Sequence, residues 1–326
     1  MFPQIENDLK ELENKFVNYL LTPNKPTNQI LEHIFSSGGK RIRPALFLLC
    51  CQILNYDGEF KFPIAAVCEY IHTASLLHDD VIDNSTLRRN KPTVNSVWGD
   101  ETAVLSGDLI YSTACRLMVK TRNLELIDCF AECIRYMSES ELYQLELLWN
   151  SSVTSAQYEK VVHGKTAYLF EASCKTPALL KNSSIEVCTL LSEFGKNLGF
   201  AFQIADDCLD YSGEQNVVGK PVATDLLEGK ITLPLIFALQ KNNEKLNFIV
   251  HKIFETGEAI KEEKEALVYL VNATGGLQAA INKAEEYSFA ARKNLEQLEK
   301  FLGPSINRQA VNTLSEITFF ALKRKM

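Results

Sequence analysis

The chain has 326 residues, 46% of them hydrophobic, and carries a formal net charge of −7 with an isoelectric point near 5.4. That hydrophobic share supports a sizeable core, and the acidic balance argues against a general nucleic-acid binder, which would show a basic surface. The nine cysteines form no CxxC pair and lie mostly in apolar stretches, as reduced core thiols of a cytosolic protein do, so neither a zinc site nor a disulfide framework is expected.

The N-terminus, MFPQIENDLKELENKF, has early acidic residues and no apolar h-region, so it does not read as a signal peptide. The apolar run from Pro44 to Leu54 is too short to span a bilayer. Helical periodicity predicts helices near 4–21, 27–36, 42–54, 63–84, 100–119, 123–149, 155–174, 184–211, 232–241, 245–255, 261–272, 275–301 and 305–323. Thr154 with Gln157 three residues later predicts a capping box for the helix that follows. Period-two alternation is scarce, so little or no sheet is expected. The breaks carry Pro, Gly, Asn and Asp, as in NYDGEF (55–60), KTRN (120–123) and YSGEQNVVGKP (211–221). No low-complexity linker or composition shift divides the chain. The expectation is one all-α domain over 1–326, with twelve or thirteen helices packed around a central cavity.

Two acidic signatures carry most of the chemistry. Asp79-Asp80-Val81-Ile82-Asp83 closes the apolar segment LLHDDVID, and Asp206-Asp207-Cys208-Leu209-Asp210 closes FQIADDCLD. On a helix the first and last Asp of each lie four residues apart, on one face. Negative charge at a helix C-terminus opposes the dipole, and a divalent cation removes the conflict. One such cluster could equally be a solvated helix end, but two of the same shape point to a paired cation site. Cations stand ready to complement an anion: Lys40, Arg41 and Arg43 follow Gly38-Gly39, and Arg88-Arg89 follows the first signature. His72 lies two turns before Asp79 on the same face, where it is either a core residue or a ligand contact. His78 adjoins the carboxylates but points elsewhere and receives no role. Lys165, Lys220 and Lys230 sit in short polar contexts (HGKTA, VGKP, EGKIT) that fit solvated lysines as well as site residues. No P-loop is present.

Taken together, these stretches resemble the trans-type isoprenyl diphosphate synthases, or polyprenyl synthetases, of the medium- and long-chain type. The matching pieces are GGKRIRP, EYIHTASLLHDDVID, Arg88-Arg89, AVLSGDL, GKTAYLF, FQIADDCLDY and DLLEGKITLPLI, running from about residue 36 to 240. The resemblance implies the isoprenoid synthase fold and an enzyme that adds isopentenyl diphosphate to an allylic diphosphate in successive trans head-to-tail steps. It implies Mg²⁺, three ions with substrate bound, held by Asp79, Asp80, Asp83, Asp206 and Asp210, with Asp207 in support. Catalysis then rests on Asp79, Asp80, Asp83, Lys165 and Asp206. Lys40, Arg43, His72 and Arg89 match the isopentenyl diphosphate side, and Arg88, Lys165, Thr166, Gln203, Lys220 and Lys230 the allylic side. A cytoplasmic homodimer is implied, with the helix near 100–119 as candidate interface. So are transient membrane contact through the product, no nucleic-acid partner, and a product used as a quinone side chain. Two departures stand out. Asn90 replaces the Gly expected after Arg88-Arg89, which the left-handed tolerance of Asn accommodates. Pro221-Val222-Ala223-Thr224 replaces a Gly- and Asn-rich stretch.

The growing chain is expected to run from the carboxylates along the apolar helix toward its N-terminus. Ala74 and Ser75, one turn before Asp79, are small where C15 producers carry a bulky aromatic, so a longer product is expected. Phe130, with Tyr136 and Met137 behind it, is the candidate stop, or else plain core. A product near C40 is the leading expectation. The alternatives are a geranylgeranyl or other-length synthase, a class I terpene cyclase, and a subunit of a heteromeric synthase. Both intact Asp signatures weigh against a non-catalytic subunit. The second set of cations weighs against a cyclase.

Overall fold

The structure is a computed structural model that describes residues 3–36, 38–212 and 223–322. After a 3₁₀ turn at Pro3–Ile5, the chain forms α1 (Glu6–Leu20), α2 (Lys25–Ser36), α3 (Ile42–Ile53) and α4 (Lys61–Ile82). A hairpin of β1 (Leu87–Arg88) and β2 (Lys91–Pro92) leads to α5 (Val94–Trp98), α6 (Asp100–Lys120), α7 (Leu124–Leu147) and α8 (Ser155–Val162). A π turn at His163–Ala167 joins α8 to α9 (Tyr168–Leu180), followed by α10 (Ile185–Leu209). The remainder is α11 (Thr224–Leu227), α12 (Leu233–Leu239), α13 (Glu244–Thr256), α14 (Lys261–Ala273), α15 (Gly276–Leu302), a 3₁₀ turn at Gly303–Ser305 and α16 (Arg308–Leu322).

The long helices form where periodicity predicts them, because their apolar stripes are continuous. The capping box is present: Thr154 and Gln157 exchange side-chain and backbone bonds at the start of α8. The single antiparallel ladder, with Leu87 opposite Pro92 and Arg88 opposite Lys91, is the one sheet among the described residues. It was not predicted, nor were α5 and α11, since elements this short leave no period to read. The predicted helix 155–174 instead breaks register at the π turn and runs on through Pro177 to Leu180.

Contacts gather the chain into two compact units. One is Met1–Ile134 with Ala172–Leu191 and Phe301–Thr313; the other is Arg135–Glu171 with Ser192–Lys300 and Leu314–Met326. The first Asp signature belongs to the former and the second to the latter. In the first unit α4 packs against α3 and α6. Its lower turns, Ile64 to Ile71, are buried all round, as a helix apolar on every side must be. In the second unit Phe200, Ile204 and Cys208 of α10 join Leu226, Leu233 and Leu267 in one buried cluster. No helix among the described residues is long and apolar enough to cross a membrane.

Candidate active site

In the first unit the upper half of α4 changes character. Ala74, Leu77 and Asp80 stay buried, while His72, Ser75, Asp79 and Asp83 keep partial or full access to solvent. At about 100° per residue these four lie within one narrow stripe. The helix ends in a Schellman arrangement: Asn84 is left-handed (φ 49°), its N–H reaches the Val81 carbonyl at 3.2 Å, and the Ser85 N–H reaches Asp80 at 2.9 Å. The chain then turns back through the hairpin, where Arg89 (φ 52°) and Asn90 (φ 62°) make the two-residue turn. Both positive angles are what a type I′ hairpin needs, and Asn90 takes the place of glycine there without difficulty.

That hairpin returns Arg88 to the helix end. Its guanidinium grips Asp80 with Nε at 2.9 and 3.1 Å and Nη2 at 2.7 Å, and Asp80 is only 4% exposed. Asn95 Nδ2 donates to the Asp80 and Ser85 carbonyls at 3.2 and 3.1 Å, fixing the same corner. Arg89 donates to the Gly38 carbonyl, so the glycine pair and the Arg pair meet. The cleft they share is lined by Gly38, Glu69, His72, Asp80, Arg88 and Arg89, among others. Behind it Arg41 donates to Glu69 at 2.7 Å and stacks over Phe16, so this middle cation of the GGKRIRP stretch is structural. Burial lowers the Arg43 pKa to about 10, with Glu69 opposing, and the side chain remains a cation at neutral pH. Burial first, then the charges of Arg43, Arg89, Arg88 and Arg41, hold the His72 imidazole well below the ordinary histidine range. His72 is therefore neutral at pH 7. Lys40 is exposed. His78 faces α6 instead, with Nε2 3.2 Å from the Val104 carbonyl and 3.6 Å from Asp108.

In the second unit another cleft is lined by Gln144, Tyr158, Lys165, Thr166, Asp225 and Lys230, with Gln203 and Asp207 between them. Gln203 and Asp207 are one helical turn apart on α10 and act as a pair. Thr166 Oγ1 donates to Gln203 Oε1 at 2.8 Å, and Gln203 Nε2 donates to Asp207 Oδ1 at 2.8 Å. Tyr158 Oη donates to the other Asp207 oxygen at 2.5 Å. Asp207 is buried with both oxygens engaged by protein donors, whereas Asp206 is exposed and Asp210 half-buried. Burial and the charge of Asp225 push the Asp207 carboxyl well up, against the pull of Tyr158 and Gln203. Burial, then Asp210 and Glu228, push Asp225 up to about 7.

Lys165 and Thr166 reach this cleft because of the π turn, which adds a residue to the helical register. Lys165 pairs with Glu141 and donates to Gln144 Oε1 at 3.1 Å. The turn is possible only with Gly164: a Cβ there would lie 1.8 Å from Ser140 Oγ and 2.6 Å from the Tyr136 carbonyl oxygen. Lys230 Nζ donates to Glu228 at 2.8 Å, and its backbone N–H donates to the Asp225 carbonyl at 2.8 Å. Lys220, Pro221 and Val222 lie outside the described residues.

The polyprenyl synthetase family profile matches residues 24–271. Octaprenyl diphosphate synthase of Escherichia coli (strain K12) is 37% identical over 271 residues, which cover 83% of this chain and 84% of that protein. The chain belongs to the polyprenyl synthetase family. It is an all-α prenyltransferase, a polyprenyl diphosphate synthase, with the isoprenoid synthase fold. A decaprenyl diphosphate synthase from Rhodobacter capsulatus superposes with a TM-score of 0.91 at 30% identity, covering 99% of this chain and 97% of that one. A polyprenyl synthase from Caulobacter crescentus CB15, complexed with calcium and isoprenyl diphosphate, gives 0.90 at 30% identity, with 99% and 97% covered.

For this polyprenyl synthetase the exposure pattern separates the two small residues upstream of Asp79. Ser75 is four positions before Asp79 and partly accessible in the same stripe, whereas Ala74 lies about 140° around the helix from Asp79 and is fully buried. Phe130 is fully buried in the first unit. Tyr136 stacks on Tyr168 with centroids 5.0 Å apart, and Met137 is buried, both in the second unit. The sequence reading missed Glu69, Gln144, Tyr158 and Asp225. Asp225 opens the matching stretch DLLEGKITLPLI and could have been singled out there. Tyr158 and Gln144 lie in ordinary helical text with no signal of their own.

Proposed function

We propose that the enzyme, acting over 1–326 as one polyprenyl synthetase domain, condenses isopentenyl diphosphate with an allylic diphosphate in successive trans head-to-tail additions. The product is proposed at about C40, the length in the name of the octaprenyl relative. The observation that carries this reading is the charge imbalance around His72. Four guanidinium groups bear on the ring, against three paired carboxylates, Glu13 and Glu69 at Arg41 and Asp80 at Arg88. An anion such as a diphosphate is what would balance them.

Lys40, Arg43, His72 and Arg89 are assigned to isopentenyl diphosphate. A neutral imidazole can donate one hydrogen bond there while the cations supply charge. Arg88, Lys165, Thr166, Gln203, Lys220 and Lys230 are assigned to the allylic diphosphate. The carboxylates fit divalent cations: burial and then the charge of Asp225 push Asp207 up, and burial and then Asp210 and Glu228 push Asp225 up, a cost that a cation relieves. Asp79, Asp80, Asp83, Asp206 and Asp210 would hold three Mg²⁺, Asp80 by exchanging its present bonds to Arg88 for the ion while Arg88 turns to the diphosphate. Among the described residues no three acidic, His or Cys side chains are gathered closely enough to enclose an ion, so diphosphate oxygens would complete each shell. When bound, Mg²⁺ neutralises the diphosphate and stabilises the charge that builds on departing pyrophosphate.

The chain's own groups do the rest. Lys165, Arg88 and Lys230 meet charge that grows on the leaving oxygens, which is stabilisation aimed at the transition state. Asp207, braced by Tyr158 and Gln203, holds Gln203 and Thr166 in place. An apolar tunnel beside α4 would keep water from the carbocation. No protein nucleophile takes part; the departing pyrophosphate takes the proton lost after each addition.

The nine free cysteines support a reducing, cytoplasmic setting. Val104, Leu105 and Val119, which α6 leaves exposed, support a homodimer built on that helix. Contact with a membrane would be transient, through the polyprenyl product, which serves as a quinone side chain. Purified enzyme with labelled isopentenyl diphosphate, an allylic primer and Mg²⁺ should extend the primer, and Asp79→Ala or Asp206→Ala should lower turnover by orders of magnitude. Full turnover in both variants, or a cyclic hydrocarbon from wild type, would reject the assignment.

A further inference from the structure

We propose that Trp149 is a positioning residue whose backbone and indole clamp the Gly229 turn and so set Lys230 at the cleft of the second unit. The proposal rests on the reading of Lys230 as a contact of the allylic diphosphate.

Trp149 stands just past the end of α7 in a left-handed backbone conformation, φ 61°. A bulky residue in that region costs roughly 1–2 kcal/mol, so surrounding contacts must hold it there. Its N–H donates to the Gly229 carbonyl at 2.9 Å. Gly229 is also left-handed, φ 76°, and a Cβ on it would lie 2.6 Å from Cε2 and 2.7 Å from Cδ2 of the indole. The ring therefore rests on bare backbone that only glycine provides. On α13, Phe254 meets the same indole with centroids 5.4 Å apart and planes at 77°.

Ordinary core packing does not explain this arrangement, because Trp149 remains 43% exposed. What the clamp controls is the next residue. The Gly229 N–H donates to the Leu226 carbonyl at 3.0 Å and the Lys230 N–H to Asp225 at 2.8 Å. A shift of Gly229 thus moves Lys230 and the backbone that carries Asp225 together. Leu147 and Leu148 on one side of the clamp, and Lys230 and Ile231 on the other, line the same cleft. A misplacement of about 1 Å is enough to weaken a charged contact severely.

Steady-state kinetics of the full-length enzyme test this. Trp149→Ala and Gly229→Ala should each raise the KM for farnesyl diphosphate on the order of tenfold, with little change in the KM for isopentenyl diphosphate. Trp149→Phe, which keeps the backbone bond and a flat ring, should recover most of that loss. Lys230→Ala is the control on the underlying reading. If it leaves the farnesyl diphosphate KM unchanged, the role given to Lys230 is wrong, and the clamp's purpose falls with it. If Lys230→Ala raises that KM while Trp149→Ala and Gly229→Ala do not, Lys230 keeps its role and the clamp is overturned. Loss of melting temperature and kcat with neither KM moved would likewise overturn it, leaving a merely structural tryptophan. Fluorescence gives a second readout that needs no damaged clamp. The chain has two tryptophans, so Trp98→Phe leaves Trp149 as the sole indole. Pyrophosphate with Mg²⁺ should then change its emission, and the change should disappear on adding Lys230→Ala. A silent Trp149 at saturating pyrophosphate would count against the clamp.

Discussion

The substitution His72→Gln removes a titrating group while leaving a hydrogen-bonding side chain in the cleft. In the unfolded chain this imidazole takes up a proton near its ordinary pKa of about 6.5. In the folded enzyme, burial and the charges of Arg43, Arg89, Arg88 and Arg41 hold it well below that value. A folded pKa below the unfolded one means that the unfolded state binds more protons once pH drops under about 6.5. Wild-type stability is therefore present above that pH and is lost as pH falls toward the folded pKa. From pH 7.5 to 5.5 the loss from this one group is on the order of 1 kcal/mol, set by protonation of the unfolded imidazole near its ordinary pKa of about 6.5. His33, His78, His163 and His251 are present in both proteins and cancel in the comparison. Denaturant unfolding at the two pH values should show wild type losing on the order of 1 kcal/mol more than the variant. Equal losses would refute the reasoning. Below about pH 6.5 the negative charge of bound isopentenyl diphosphate, by raising the His72 pKa, predicts proton uptake on binding, while at neutral pH the ring binds uncharged. Calorimetry in buffers of different ionisation enthalpy should detect that uptake in wild type and not in His72→Gln.

Ser75→Phe should shorten the product with little change in melting temperature, because Ser75 is partly accessible in line with Asp79; chromatography of the products checks the first and a thermal melt the second. Phe130→Ala should lengthen the product and also lower stability by roughly 3–5 kcal/mol, since the ring is fully buried; an unchanged product distribution would mean that Phe130 is core alone. Gly164→Ala should cost about 1–3 kcal/mol and raise the KM for the allylic substrate, because the new methyl meets the Tyr136 carbonyl and displaces Lys165 and Thr166. Adding Ser140→Ala should not rescue it, as the backbone oxygen stays at 2.6 Å.

How much could be read in advance depended on the range of the signal. The long helices, the capping box at Thr154 and the left-handed tolerance of Asn90 follow from local rules, and all are present. The Asp, Arg and Lys residues proposed for the site stood out because charge beside apolar text needs a partner. Their partners did not stand out. The grip of Arg88 on Asp80 depends on a two-residue hairpin that leaves no periodic trace. The bracing of Asp207 by Tyr158 joins residues 49 positions apart. The π turn that presents Lys165 is a register change inside an otherwise continuous helical pattern. Sequence spacing placed Ala74 and Ser75 together, and only the packing around α4 distinguishes the accessible one.

If the two clefts serve repeated addition of isopentenyl units, the product is a long chain. That is tested most directly by product sizing: purified enzyme, Mg²⁺, farnesyl diphosphate and labelled isopentenyl diphosphate, with the dephosphorylated products resolved by chromatography. A ladder of successive additions that ends near C40, the octaprenyl length, is expected. A ladder that stops at geranylgeranyl or shorter, or no growth of the primer, would contradict it.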